Sequence, residues 1–98
     1  SQVPEEVSYE VYRIMQELLS NILKHSGATE IDVTLTLKRR LLTLQVSDNG
    51  KNYRGSEVRA KGIGLTTIQE RAKTVGGLFT VNIQDGSQKF RLEIPLSI

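Results

Sequence analysis

The spacing of apolar residues changes along the chain, and each change marks an element. From Pro4 to His25, Val7, Val11, Ile14, Met15, Leu18, Leu19, Ile22 and Leu23 fill one half of a helical wheel. Glu10, Arg13, Glu17, Asn21 and Lys24 share the polar arc. Pro4 suits the first helical position, and Glu5-Glu6 suit the positive end of the helix dipole. Lys24 and His25 sit at the negative end, and Ser26-Gly27 stops the helix. The period then falls to two. Ile31, Val33, Leu35 and Leu37 alternate with Asp32, Thr34 and Thr36, which predicts a strand with one buried face. Lys38-Arg39-Arg40 is the turn, and Leu42, Leu44 and Val46 make the buried face of a second strand.

Asn49 to Lys61 is polar, contains Gly50 and Gly55, and reads as a loop. Gly62-Ile63-Gly64 leads into a second helix with Leu65, Ile68, Ala72 and Val75 at core spacing, ended by Gly76-Gly77. Phe79, Val81 and Ile83 predict a third strand, Asp85-Gly86-Ser87 a turn, and Phe90, Leu92, Ile94 and Leu96 a fourth strand. The order helix, strand, strand, loop, helix, strand, strand predicts an α+β domain. Its helices lie on one face of a mixed, mostly antiparallel sheet. Lys89, Arg91 and Glu93 fall on the opposite, solvated face.

Composition narrows the classes. At 98 residues, with 38% hydrophobic and 24% charged positions, the chain makes one domain, residues 1–98, with a core of its own. There is no Cys, so disulfide scaffolds and zinc clusters of the usual kind are excluded, as is a Cys–His dyad. The net charge of +2 is small and dispersed, with Arg39-Arg40 the only adjacent basic pair; direct nucleic-acid binding is not expected. No apolar run reaches the roughly 18 residues needed to cross a bilayer, so no membrane contact is expected of this domain.

Three polar clusters stand apart from the folding pattern. Glu17, Asn21 and Lys24 repeat at i, i+4 and i+7 on one helix face. An amide oxygen is a hard ligand suited to Mg²⁺, a carboxylate can act as a base, and a lysine can neutralise phosphate; the plain alternative is a solvated face. In Asp48-Asn49-Gly50, parity places Asp48 on the buried side, where a carboxylate needs a partner. It could accept from the exocyclic amine of a purine; the plain alternative is a common Asp/Asn turn. Gly62-Ile63-Gly64-Leu65 opens a helix whose free N–H groups suit phosphate, although a lone GxG is weak and no P-loop motif exists. His25, the single histidine, reads as a packed helix end or a phosphate contact.

Taken together and in order, these motifs resemble one family. Tyr12-Arg13-Ile14-Met15-Gln16-Glu17-Leu18-Leu19-Ser20-Asn21-Ile22-Leu23-Lys24-His25 resembles the N box of bacterial sensor histidine kinases, specifically the branch paired with response regulators carrying LuxR-type DNA-binding domains. Asp48-Asn49-Gly50 is similar to the G1 box and Lys61-Gly62-Ile63-Gly64-Leu65 to the G2 box. Gln69-Glu70-Arg71-Ala72, Gly76-Gly77 and Leu92-Glu93-Ile94-Pro95-Leu96 extend the likeness over nearly the whole chain.

The resemblance implies the two-layer α/β sandwich of the Bergerat ATP-binding fold in the GHKL superfamily, with ATP and Mg²⁺ as cofactors. It implies Asn21 as the metal ligand and Glu17 as a possible base beside the phosphates. Lys24 and His25 would touch phosphate oxygens, and Asp48 would accept the adenine amine. Gly50, Gly62, Ile63, Gly64 and Leu65 would line the nucleotide, with the glycines letting the loop fold over it. The implied partners are the phosphoacceptor helices of a longer kinase and, indirectly, the response regulator. A cytoplasmic domain is implied, on a parent that could be membrane-anchored.

Nothing in the chain matches the family's phosphoacceptor histidine, so the isolated chain is not expected to phosphorylate itself. The sequence departs from the pattern in three places. Asn52 stands where the G1 box usually has its second Gly, Ser87-Gln88 where Gly-Thr precedes the last strand, and the strand ahead of the N box is missing or reduced to Ser1–Val3. Three other readings stay open: the same fold without kinase activity, an anti-sigma-factor serine kinase, and a basic α+β nucleic-acid module.

Overall fold

The computed structural model describes residues 3–25, 27–50, 65–84 and 87–97. The element order is α1 (Glu5–His25), β1 (Ile31–Lys38), β2 (Leu41–Asp48), α2 (Leu65–Thr74), β3 (Leu78–Gln84) and β4 (Ser87–Pro95). The carbonyl of Pro4 accepts the first helical bond from the Ser8 N–H at 3.0 Å, so Pro4 caps α1 from just outside it. The four strands form one sheet in the order β1-β2-β4-β3. All three pairings are antiparallel, so the mixed character expected of the sheet is absent from the described strands.

The core lies between this sheet and the helices. Ile14, Leu18 and Ile22 of α1 and Ile68 of α2 are buried with Leu44, Val46, Phe90, Leu92 and Ile94 of the sheet. Phe79 and Phe90 stack at 6.0 Å between ring centroids. Arg91 and Lys89 lie exposed on the other face, as alternation requires.

β1 departs from expectation. Its predicted buried stripe faces the same side as Leu42, Leu44 and Val46, but neither α1 nor α2 covers it. Val33, Leu35 and Leu37 are 42%, 56% and 39% exposed, and only Ile31 is partly shielded. Periodicity tells which side these residues face; it does not tell that the helix layer stops at β2. Leu23, assigned to the apolar half of α1, is likewise exposed. The β1–β2 turn is tighter than expected, because Lys38 pairs with Leu41 and only Arg39 and Arg40 remain unpaired. Both have positive φ, 51° and 66°, the geometry of a two-residue turn matching strand twist.

α2 ends in a six-residue capping motif. The Gly77 N–H donates to the Ala72 carbonyl at 2.7 Å and the Gly76 N–H to that of Lys73 at 3.0 Å. Gly76 takes φ +71°, which a side chain would strain. A Cβ on Gly77 would stand 2.9 Å from Ile94 Cγ1 and 3.2 Å from the Ala72 carbonyl, so glycine here lets α2 close onto β4.

The connectivity sorts residues into two ends. The carbonyl of Arg40 accepts from the Leu96 N–H at 2.7 Å, so the β1–β2 turn, the end of β4 and the end of α2 share one end. The C-terminus of α1, the start of α2, the C-terminus of β2 and the start of β4 therefore gather at the other.

Candidate functional site

The second end holds those residues singled out by the motifs that the structure describes. Asp48 closes β2 and is 8% exposed, on the core side as parity predicts. Its Oδ1 accepts from the Gly50 N–H at 2.7 Å, which folds the chain into an Asx turn as it leaves the sheet. Gly50 is itself buried. Asn49 takes a different part. Its Oδ1 accepts from the N–H groups of Thr29 and Glu30 at 2.9 and 3.0 Å, and its Nδ2 donates to Thr29 Oγ1 at 2.9 Å. It ties the end of β2 to the α1–β1 connection and so fixes where Asp48 stands relative to α1.

On α1, Glu17 and Asn21 are half-buried and Lys24 is exposed. Glu17 is not a solvated surface acid. Its Oε1 lies 3.3 Å from Arg71 Nε of α2, and Arg71 Nη1 lies 2.9 Å from Glu10 Oε1. Arg71 thus bridges two acids on one face of α1, and its pKa rises above the ordinary guanidinium value, chiefly through the hydrogen bond to Glu10. The other oxygen of Glu17, Oε2, is shielded from solvent without a hydrogen-bond partner among the described residues. A shielded acceptor with no donor is costly unless something else fills it. Helical spacing indicates that Glu17 and Asn21 share a face, but it gives no sign that Arg71 crosses from another helix.

His25 ends α1 and Leu65 begins α2, both placed at this end by their backbones. Gly62, Ile63 and Gly64 lie outside the described residues, as does Asn52. Gln88, which with Ser87 stands where the resembled pattern has Gly-Thr, is 3% exposed at the start of β4. Its parity with Phe90, Leu92 and Ile94 puts it on the buried face.

Among the described residues no three acidic, His or Cys side chains gather as a metal cage. The donor set at α1 is one amide, on Asn21, and one carboxylate, on Glu17, with an orphaned oxygen. That suits Mg²⁺, which keeps several waters and shares few protein ligands with substrate phosphates. No helix of the described residues is long and apolar enough to cross a membrane.

This arrangement of fold and polar end coincides with the comparisons. Residues 6–98 match the family described as histidine kinase-, DNA gyrase B-, and HSP90-like ATPase, and the chain belongs to that family. Within it, the similarity runs to sensor kinases. The chain is 36% identical over 87 residues to the sensor histidine kinase LiaS of Bacillus subtilis, covering 88% of this chain and 24% of that protein. It is 34% identical over 96 residues to the sensor protein VraS of Staphylococcus aureus, covering 97% of this chain and 28% of that protein. The chain thus spans about a quarter of the length of these relatives. The histidine kinase domain of the blue-light activated kinase EL346 of Erythrobacter litoralis superposes with a TM-score of 0.82 at 20% identity, over 97% of this chain and 47% of that one. The α+β architecture is therefore that of histidine-kinase ATP-binding domains, and a nucleotide is the ligand class of the family.

Proposed function

We propose that this domain binds Mg·ATP at the end defined by Asp48, Asn21 and the start of α2, and presents the γ-phosphate to a histidine on a separate dimerisation domain. The observation that carries this reading is Asp48: a carboxylate 8% exposed on the core side of a strand end, oriented by the Gly50 N–H. A carboxylate accepts several hydrogen bonds at once, and the 6-amino group of adenine is a donor that suits one held in this way.

Asn21 would hold Mg²⁺, which when bound neutralises charge on the phosphates. Glu17, whose Oε2 is shielded without a hydrogen-bond partner among the described residues, would act as base or order the attacking group. Lys24 and His25 at the helix end would touch phosphate oxygens, and Gly62, Ile63, Gly64 and Leu65 would line the nucleotide beside Gly50. Phosphoryl transfer here would rest on positioning and charge neutralisation. We place the domain in the cytoplasm, as the ATP-binding part of a longer kinase that could be membrane-anchored. Its partners would be the kinase's phosphoacceptor helices and, through them, a response regulator with a LuxR-type DNA-binding domain.

Calorimetric titration with Mg²⁺ and a non-hydrolysable ATP analogue tests the site. Saturable binding is expected, weakened roughly 10- to 100-fold in Asp48→Asn, the loss of one hydrogen bond to a charged acceptor. Glu17→Gln should keep binding but lower transfer to an added phosphoacceptor domain by about 10²-fold or more. No binding at millimolar analogue overturns the reading.

A further inference from the structure

β1 is the outer strand of the sheet, and among the described residues β2 is its one partner strand. Its other edge is ready to pair. Lys38 and Leu41 close a two-residue turn at one end, and the Glu30 carbonyl bonds the Asn49 N–H at the other. Bonded and unbonded pairs alternate between these points, so Asp32, Thr34 and Thr36 turn their backbone groups to β2. Val33, Leu35 and Leu37 turn theirs outward. Natural sheets guard such an edge with a proline, a bulge or a charge in mid-strand. From Val33 to Leu37 this strand has no proline and no charge, and its register with β2 runs without a bulge.

The charges say what fits the edge. They lie at the two ends and differ in sign, with Glu30 and Asp32 at the start and Lys38, Arg39 and Arg40 at the finish. Asp32 and Lys38 are exposed, and neither is in an ion pair among the described residues. They stand roughly 20 Å apart along the strand, too far to meet each other. The strand is thus complementary to itself run backwards. A parallel copy in register would set Asp32 beside Asp32. An antiparallel copy centred on Leu35 sets Asp32 opposite Lys38 at both ends, with Glu30 and Arg40 one step further out. The same alignment sets Val33 opposite Leu37, and Leu35 opposite Leu35 of the second copy. These are the positions whose backbone groups point outward, so each pair exchanges both of its hydrogen bonds. Backbone, charge and parity agree on one register.

We propose that the occupant of this edge is a second copy of this chain, joined through β1 about a two-fold axis at Leu35. The two four-stranded sheets become one of eight strands. The axis keeps each face of the sheet on its own side, so the exposed Val33, Leu35 and Leu37 of both copies form one apolar strip between the two helix layers. Asp48 stands opposite Ile31 at the start of β1, so the antiparallel joint sends the two candidate nucleotide ends to opposite extremes of the sheet and leaves both outside the contact. A single strand edge is smaller than a stable dimer interface, and the association is weak, with a dissociation constant on the order of 10⁻⁴ M. Such a contact acts where two copies are tethered, since a short linker supplies an effective concentration of about a millimolar.

Sedimentation equilibrium tests this on the wild-type chain, at concentrations about ten times below and about ten times above that constant, with amide exchange followed by NMR in the same samples. Wild type is expected to pass from monomer to dimer. The Val33, Leu35 and Leu37 amides should exchange more slowly in the dimer, while those of Thr34 and Thr36, already bonded to β2, should not change. Asp32→Lys and Lys38→Asp should each weaken dimerisation roughly 5-fold or more, because like charges then oppose each other in two symmetric pairs. The two swaps move the net charge in opposite directions, so a loss shared by both belongs to the pairing. The double variant, Asp32→Lys with Lys38→Asp, restores opposite signs and should dimerise within about 2-fold of wild type. A chain that stays monomeric throughout overturns the proposal and leaves the edge to another segment or partner. A dimer whose β1 amides keep their monomer exchange rates, or that the single swaps leave intact, or that the double swap does not restore, overturns it too and places the contact elsewhere. Nucleotide binding forms no part of the readout, so loss of that site and loss of this contact are separate results.

Discussion

At the scale of single residues, glycine and arginine positions carry more of this fold than their side chains suggest. Gly77 sits where any Cβ would meet Ile94 at 2.9 Å, and the atoms behind it are backbone carbonyls that do not yield. Gly77→Ala should cost about 1–3 kcal/mol in denaturant unfolding, the usual penalty for overpacking. Arg71 is the other case. It donates to Glu10 and Glu17, and the folded state holds its proton more tightly than the unfolded chain does. A group whose pKa rises on folding adds stability below its unfolded pKa, and that contribution fades only as the pH climbs through the folded value. Both values are strongly alkaline, so the stability difference between wild type and Arg71→Met should stay level from neutral pH to about pH 10. Melting curves across that range check it; a difference that shrinks before pH 9 would deny the assigned cause. Glu17 is legible in the sequence as one of a helical set, whereas its tie to Arg71 is not, because residues 54 apart in the chain meet only once two helices pack.

At the scale of elements, alternation is a sound guide to which way a side chain faces and a poor one to burial. Leu35 and Leu44 are cross-strand partners on one face. Leu44 is 2% exposed and Leu35 56%. The difference comes from which strand lies beneath a helix, a matter of layer width that a period of two does not encode. Leu44→Ala should therefore cost about 2–5 kcal/mol and Leu35→Ala within about 0.5 kcal/mol, measured by the same denaturant titration. Equal losses would show β1 to be covered in solution. The end of α2 is the opposite case. Paired glycines after an apolar helical stripe mark a stop on their own, and the capping bonds fall on the same two residues.

At the scale of the whole molecule, the antiparallel pairing and the two helices of the described residues bring the C-terminal ends of α1 and β2 and the starts of α2 and β4 to one end. The fold class is legible because each segment carries a clean period and each break a glycine or a turn residue. Parity within a single strand brings Asp48 to the inner face of the candidate site, and parity with Phe90, Leu92 and Ile94 does the same for Gln88. It takes the register between β2 and β4, sequence positions 40 apart, to set the two side by side.

The uncovered face of β1 also bears on how the molecule behaves among its own kind. The Glu30 carbonyl accepts from the Asn49 N–H at 3.2 Å, and the alternation that follows aims the N–H and C=O groups of Val33, Leu35 and Leu37 away from β2. Among the described residues, one flank of the sheet thus joins an outer strand edge to exposed apolar side chains, on a chain whose net charge of +2 gives little mutual repulsion. In colloidal terms, this strip sets the concentration at which the isolated domain precipitates. Leu35→Lys should raise that concentration several-fold without shifting the melting temperature; an unchanged precipitation threshold would place the limiting contact elsewhere.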